Sequence, residues 1–541
     1  MKMRGKTLIV LASLWFAFPL NAAFWRQVAV NIEITNWQMA AVAFTAPILM
    51  FALEYLFLSV VLIGGMARPL LAVLLVASSY AGFMSFAYGA RIDADMIRNV
   101  FETTPREAAD LVTPGLVVAL VLGGVLPAVL ACAARIGFLP FAAEARRRLK
   151  GCLLAVMCIV LVAAVSFKGY SAFGRNNQGL EKLITPFNYI YGAARYAKAL
   201  SMARRQFRRL DPDAVWPGVG SPGRAKGPER AADPDSYPVF VFIVGETTRA
   251  ANFGLNGYAR DTTPLLGKAD VAYFADTQSC GTATATSVPC MFSDRPRKGF
   301  DVDSARYGEN LLDLLKQVGF KVVWLENDDG CKGVCDRASK AENMVELGGR
   351  HCFGSYCHDE ALLDRLDHYL NEERTSPLIL VMHAMGSHGP TYYRRYPSGF
   401  DRFKPACDTS DIQNCAKDAI VNTYDNTILY ADYIISGTIS RIASLSAPAA
   451  VLYASDHGES LGENGIYLHG LPYAIAPDFQ TRVPMLLWLS QGMKAGLDWN
   501  CVKARSSLSH DNIFHSVLGL LGVGTKVYDS SLDLAAPCRK G

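Results

Sequence analysis

Little net charge separates the 53 lysines and arginines of this 541-residue chain from its 49 aspartates and glutamates; the formal balance is +4. So close a balance gives no support to nucleic acid as the main partner. Charge is also missing from four long apolar runs, residues 7–25, 69–89, 114–134 and 151–167, and a fifth, 39–64, holds only Glu54. Each run has close to the length, or more, needed to cross ~30 Å of hydrocarbon. Five such runs in tandem exclude a simple soluble enzyme. With 51% apolar residues overall, a disordered, collagen-like or small disulfide-stapled chain is excluded as well. An intramembrane carboxyl faces a bundle interior or marks an off-centre span, and Glu54 is assigned no role.

The charges around the runs are unevenly distributed. Lys2, Arg4, Lys6, Arg68, Arg135, Arg146, Arg147, Arg148 and Lys150 fall on one side, whereas the opposite short loops hold Arg26, Arg91, Arg98 and Arg106. The basic side is cytoplasmic, so the chain after residue 167 is exported. The first run also reads as a signal peptide cleaved near residues 21–23; the later four spans give the same destination either way. Cysteine usage agrees. Cys132, Cys152 and Cys158 lie in or beside spans, and the other ten lie beyond residue 279, as suits an oxidising compartment. Proximity pairs Cys280 with Cys290, Cys331 with Cys335, Cys352 with Cys357 and Cys407 with Cys415, leaving Cys501 for Cys538. The rival use is a structural zinc site of Cys331, Cys335, Cys352 and Cys357.

Three domains follow: five transmembrane helices over 1–170, interfacial helices and a linker over 171–237, and an α/β domain over 238–541. Residues 91–113 form an outer loop of acidic tint, expected to be solvated. Residues 168–210 read as helical, with Tyr189, Tyr191 and Tyr196 as interfacial anchors and a basic end of Arg195, Lys198, Arg204, Arg205, Arg208 and Arg209 suited to anionic lipid headgroups. Residues 211–237 are rich in Pro, Gly, Ala and charge and read as linker. Beyond them, 238–244, 321–325, 377–382 and 449–454 are apolar runs of strand length, with helical spacing over 310–318 and 360–370. Such runs predict a parallel sheet buried on both faces, in which ligands gather at the carboxyl ends of strands.

Polar clusters follow each predicted strand: Gly245-Glu246-Thr247-Thr248-Arg249, residues 327–332, His383 with Ser387-His388-Gly389-Pro390, and Ser455-Asp456-His457-Gly458-Glu459. Glu246, Asp456 and His457 are donors suited to Zn²⁺. Two carboxylates would cancel the dication's charge and leave room for a hydroxyl ligand. Residues 279–290 supply candidates in Thr282, Thr284 and Thr286, among which composition does not choose. Metal coordination turns such an alcohol into a nucleophile, and a helix opening at Thr284 would add anion-binding amides.

These clusters, with the run 280–293, Gly330-Cys331-Lys332-Gly333-Val334-Cys335-Asp336 and Ser509-His510-Asp511-Asn512, resemble the phosphoethanolamine transferases of Gram-negative inner membranes. Within them the chain is most similar to the lipid A phosphoethanolamine transferases associated with polymyxin resistance. The resemblance covers nearly the whole chain. It implies five spans before a periplasmic alkaline-phosphatase/sulfatase-like α/β/α domain, and a monomeric zinc enzyme that takes phosphatidylethanolamine as donor and lipid A as acceptor. By the family's motifs Thr284 is nucleophile and ligand, with Glu246, Asp456 and His457 completing the zinc shell. His388 and His469 bind phosphate or a second zinc, and Lys332 contacts substrate phosphate. Asn327 and Asp328 are weaker candidates, and His383, His510 and His515 receive no catalytic role. Kdo, core heptose or a periplasmic glucan are the alternative acceptors. A sulfatase is disfavoured because no Cys-x-Pro-x-Arg pattern surrounds Cys280.

Overall fold

The computed structural model describes residues 3–540 apart from 33, 35, 36, 135, 138–140, 178, 204–206, 219–233 and 355. Lys2, Arg135, Arg204 and Arg205 of the charge pattern therefore lie outside the described residues. The chain forms two compact units: residues 1–97 with 112–196, and 98–111 with 197–541.

In the first unit five helical runs are long and apolar enough to cross a membrane: Gly5–Asn31, Trp37–Val61, Ala67–Tyr88, Pro114–Ala133 and Ala143–Phe167. Phe16, Leu58 and Leu71 pack inside this bundle, while Leu130 and Leu153 stay about 60% exposed, at 62% and 60%. A surface of that kind suits lipid rather than water. Arg148 donates from Nη1 to the carbonyls of Ser59 and Leu62 at 2.8 and 2.7 Å, satisfying the end of the second span. Glu54 faces inward and is fully buried.

The second unit is built on an eight-stranded sheet. Its strands are β1 (Val239–Gly245), β2 (Ala272–Gln278), β3 (Lys321–Glu326), β4 (Lys340–Asn343), β5 (Leu378–His383), β6 (Ala449–Ser455), β7 (Arg482–Leu489) and β8 (Ser507–Ser509), in spatial order β8-β2-β7-β6-β1-β5-β3-β4. Strands β6, β1, β5, β3 and β4 are mutually parallel; β7 runs against both its neighbours. Side chains of β1, β5 and β6 are buried at every position because both faces are covered. Phe240, Phe242 and Val244 join one core with helices α1 (Thr284–Met291), α2 (Leu311–Gln317) and α5 (Asp511–Leu521). Val239, Val241 and Ile243 join the other with α3 (Glu360–Leu370) and α4 (Lys417–Ala443). The period of two along a strand thus produces three layers, α/β/α. Asn310 and Asp313 start α2 with a reciprocal capping box.

Two stretches differ from expectation. Residues 98–111 are not a solvated loop: Arg98 donates to Asp303 at 3.0 Å with both side chains buried, Glu102 pairs with Arg306, Thr104 donates to Asp329, and Asp110 accepts from Arg395 at 2.6 Å. The acids of this loop answer basic residues distant in sequence, which a local reading of charge does not reveal. Within the stretch read as linker, Val215 bridges Gly524 and the Trp216 indole, buried in the first core, donates to the Leu521 carbonyl at 2.9 Å. The four cysteine pairs chosen by proximity are disulfides, and so is the remaining pair, Cys501 with Cys538. The Cys₄ zinc alternative is thereby overturned, since its sulfurs are bonded to one another.

Candidate active site

Parallel register brings the first two donors together. Ser455 of β6 lies opposite Gly245 of β1, so the next residues, Asp456 and Glu246, leave the sheet side by side. The Asp456 amide donates to the Gly245 carbonyl at 2.9 Å. Gly386 (φ +50°) lies against this turn, where a Cβ would meet the Glu246 carbonyl oxygen at 2.6 Å, so the close approach requires glycine. Thr247 holds φ at +54°, a costly conformation for a β-branched residue. Tyr424 fixes it by donating to the Thr247 carbonyl at 2.7 Å.

Thr284 is the first residue of α1. Its Oγ1 lies 3.2 and 3.4 Å from the two Glu246 carboxylate oxygens and 3.3 Å from His457 Nε2. Among the three candidate threonines, geometry selects this one: Thr282 donates to the Leu471 carbonyl. The Cys280–Cys290 bridge joins the approach of α1 to its last turn. His510 braces the same loop, accepting from the Cys280 amide at 3.1 Å through Nδ1 and donating to the Ser455 carbonyl at 2.9 Å through Nε2.

His457 donates from Nδ1 to the Gly458 carbonyl at 2.9 Å. That bond leaves the Nε2 lone pair facing Asp456 Oδ2 at 3.2 Å and Glu246 Oε1 at 3.5 Å. Asp456 Oδ1 accepts the amides of Thr247 and His457, whereas its Oδ2 is buried without a hydrogen-bond partner among the described residues. An orphaned carboxylate oxygen, a second carboxylate, an imidazole lone pair and a hydroxyl converging in this way fit a divalent cation. Burial, then the Asp456 and Asp328 charges, hold the Glu246 carboxyl well above the usual carboxylate range. Burial pushes Asp456 up to about 6, against the pull of His383, and burial with His469 beside it depresses the His457 imidazole. Each shift disfavours the deprotonated acids and the protonated base in the absence of a counter-cation.

His388, His469 and Lys332 line one small recess with Thr284, Asp328 and Asp329. The ring of His469 stands 4.3 Å from that of His457 and 5.8 Å from that of His388. Its Nδ1 meets buried Glu459 at 2.8 Å. Lys332, with φ at +50°, donates to the Asp329 carbonyl at 2.9 Å.

His383, given no catalytic role from the sequence, joins Glu246 and Asp328 in a second buried donor triad. Its Nδ1 lies 3.0 Å from both oxygens of Glu326. Burial opposes its charge, but Glu326 and Asp328 outweigh burial and raise its pKa to about 9. Asn327, by contrast, donates to Asp359 and the Cys357 carbonyl, a bracing role. Asn99, Glu102 and Thr103 also line the recess; no motif marked them. His515 accepts the Asp529 amide, away from these groups.

Family models match over residues 238–523, described as sulfatase, and over 50–200, described as phosphoethanolamine transferase EptA/EptB. Phosphoethanolamine transferase EptA of Salmonella typhimurium is 41% identical, the match covering 98% of this chain and 96% of that protein. The chain belongs to the phosphoethanolamine transferase family. Phosphatidylethanolamine transferase Mcr-1 of Escherichia coli is 33% identical over 84% of each chain. The integral membrane lipooligosaccharide phosphoethanolamine transferase A of Neisseria meningitidis superposes with a TM-score of 0.94 at 36% identity over the whole of both chains. This transferase is accordingly an inner-membrane protein with five spans and a sulfatase-like α/β catalytic domain in the periplasm.

Proposed function

We propose that the transferase moves phosphoethanolamine from phosphatidylethanolamine to a phosphate of lipid A through a covalent intermediate on Thr284. The observation that carries this reading is the convergence on Thr284 Oγ1 of Glu246 and His457 at 3.2–3.4 Å. Glu246, Thr284, Asp456 and His457 would hold Zn²⁺. Bound there, zinc supplies the positive charge that favours an alkoxide and offsets charge on phosphoryl oxygens.

In the first half-reaction Thr284 Oγ1 gives up its proton and bonds to the donor phosphorus. The bond from phosphorus to the glycerol oxygen breaks, and that oxygen takes a proton as diacylglycerol leaves. In the second, an acceptor phosphate oxygen bonds to the same phosphorus, the bond to Oγ1 breaks, and Thr284 regains its proton. His388, His469 and Lys332 line the recess where they bind phosphate or pass protons. The product adds an amine to an anionic headgroup, weakening attraction of cationic peptides such as polymyxin. The enzyme acts as a monomer on substrates held in its own membrane.

The lipooligosaccharide acceptor named for the meningococcal protein, which matches this whole chain, supports a lipid A-bearing glycolipid over a periplasmic glucan. The Kdo(2)-lipid A phosphoethanolamine 7''-transferase of Escherichia coli matches only 47% of it. The phosphatidylethanolamine named for Mcr-1 supports the donor. Intact-mass analysis with donor lipid is expected to show a phosphoethanolamine adduct that Thr284→Ala lacks; an adduct persisting in that variant overturns the assignment.

A further inference from the structure

The recess beside Thr284 has a volume of only ≈ 40 Å³, room for about three waters. Lys332 borders it and also a second cavity of ≈ 570 Å³, a size typical of small-molecule sites. Helix α1 connects the two. Its first residue, Thr284, borders the recess, and Pro289 borders the larger cavity, five residues or about 7.5 Å further along the axis. The two cavities thus share Lys332 in their walls and flank the same short helix.

The lining has the chemistry of a phosphorylated sugar site. Arg208 is held by Asp294 through both terminal nitrogens, and Arg306 is paired with Glu102. Arg209 and Arg295, both exposed, have no ion pair or side-chain hydrogen bond among the described residues. Such guanidinium forks match phosphate oxygens. Phe207, 50% exposed, and Phe300 supply apolar faces for a sugar ring. Glu309, whose Oε2 accepts the Leu210 amide at 2.8 Å, adds a carboxylate for hydroxyl or amino groups.

We infer that this cavity is the acceptor site, taking the phosphorylated amino-sugar headgroup of the acceptor lipid and presenting its phosphate to Thr284 past Lys332. The inference rests on the transferase reading above and adds the place and recognition chemistry of the second substrate.

The test uses the full chain in detergent with fluorescent phosphatidylethanolamine and lipid A, following the Thr284 adduct and modified lipid A separately. Arg209→Ala with Arg295→Ala is expected to raise the acceptor KM at least tenfold and to lower the ratio of transfer to adduct formation by a similar factor. The paired Arg→Lys variant should recover part of this. Glucosamine 6-phosphate should compete with lipid A in the unsubstituted protein more strongly than inorganic phosphate does, and lose that advantage in the double variant. An unchanged acceptor KM overturns the inference. So does a parallel fall in adduct formation, which would make the cavity a donor or folding feature, and so does equal competition by inorganic phosphate. Absence of any adduct in the unsubstituted protein instead defeats the transferase reading, and the acceptor assignment with it.

Discussion

The membrane unit and the catalytic unit use apolar residues in opposite ways. Leu122, Leu130, Leu153, Val160 and Phe167 are more than half exposed, whereas Phe240, Phe242, Trp324 and Phe292 are fully buried. Cysteine divides similarly: the ten beyond residue 279 are all in disulfides, and the three in the spans are free. The difference shows how each unit meets its surroundings. Lipid accepts an apolar exterior but leaves backbone groups unsatisfied, so helices suffice there. Water drives apolar side chains inward, and an oxidising compartment adds covalent bridges.

The comparison is broken most severely at the donor cluster, which only the catalytic unit possesses. Asp456→Ala is expected to abolish the zinc binding proposed for this cluster and to reduce turnover by at least about 10³-fold, read by elemental analysis and transfer rate, with the helical signal of the spans unchanged. Replacing Cys501 and Cys538 by serine opens a bridge of sequence separation 37. It should cost the catalytic unit about 4 kcal/mol, measured as a lower melting temperature, while substitution of Cys152 and Cys158 leaves melting unaltered. Phe242→Ala, at a fully buried position, should cost about 3 kcal/mol. Leu130→Ala, at 62% exposure, should change detergent stability by less than about 0.5 kcal/mol; equal effects would contradict the inside-out contrast.

A further small effect is electrostatic. A hydrogen bond from Lys494, then from Trp499, holds the Asp270 carboxyl down at about 2, below its ordinary 3.8. The folded pKa is depressed, so its stabilisation is complete above pH ~4 and is lost as pH falls through 2. Asp270 is half exposed, and screening limits the gain to under about 1 kcal/mol. Asp270→Asn should lower stability at pH 7 by that amount and flatten the acid limb, so that the two stability curves converge as pH falls through 2.

Much of the candidate site could be read along the chain because Glu246, His388 and Asp456 each follow a buried apolar run, where strand-end chemistry is expected. His383 was harder to see. It is the last residue of such a run, and its company depends on sheet order: β5 lies between β1 and β3, pairing His383 with Val244 on one side and Glu326 on the other. Asn99, Glu102 and Thr103 were hidden for a similar reason, because they reach the recess through ion pairs with residues some 200 positions away.

Local patterns of hydrophobicity, charge and cysteine spacing by themselves determined the five spans, the exported α/β domain, the four short-range bridges and most of the polar donors. Those features depend on neighbours in the chain or on the solvent each segment meets. Which threonine faces the donors, where residues 98–111 dock, and that Lys332 separates a small recess from a larger cavity were decided only by tertiary structure. Each depends on strand order and on ion pairs between distant segments, and no local periodicity encodes either.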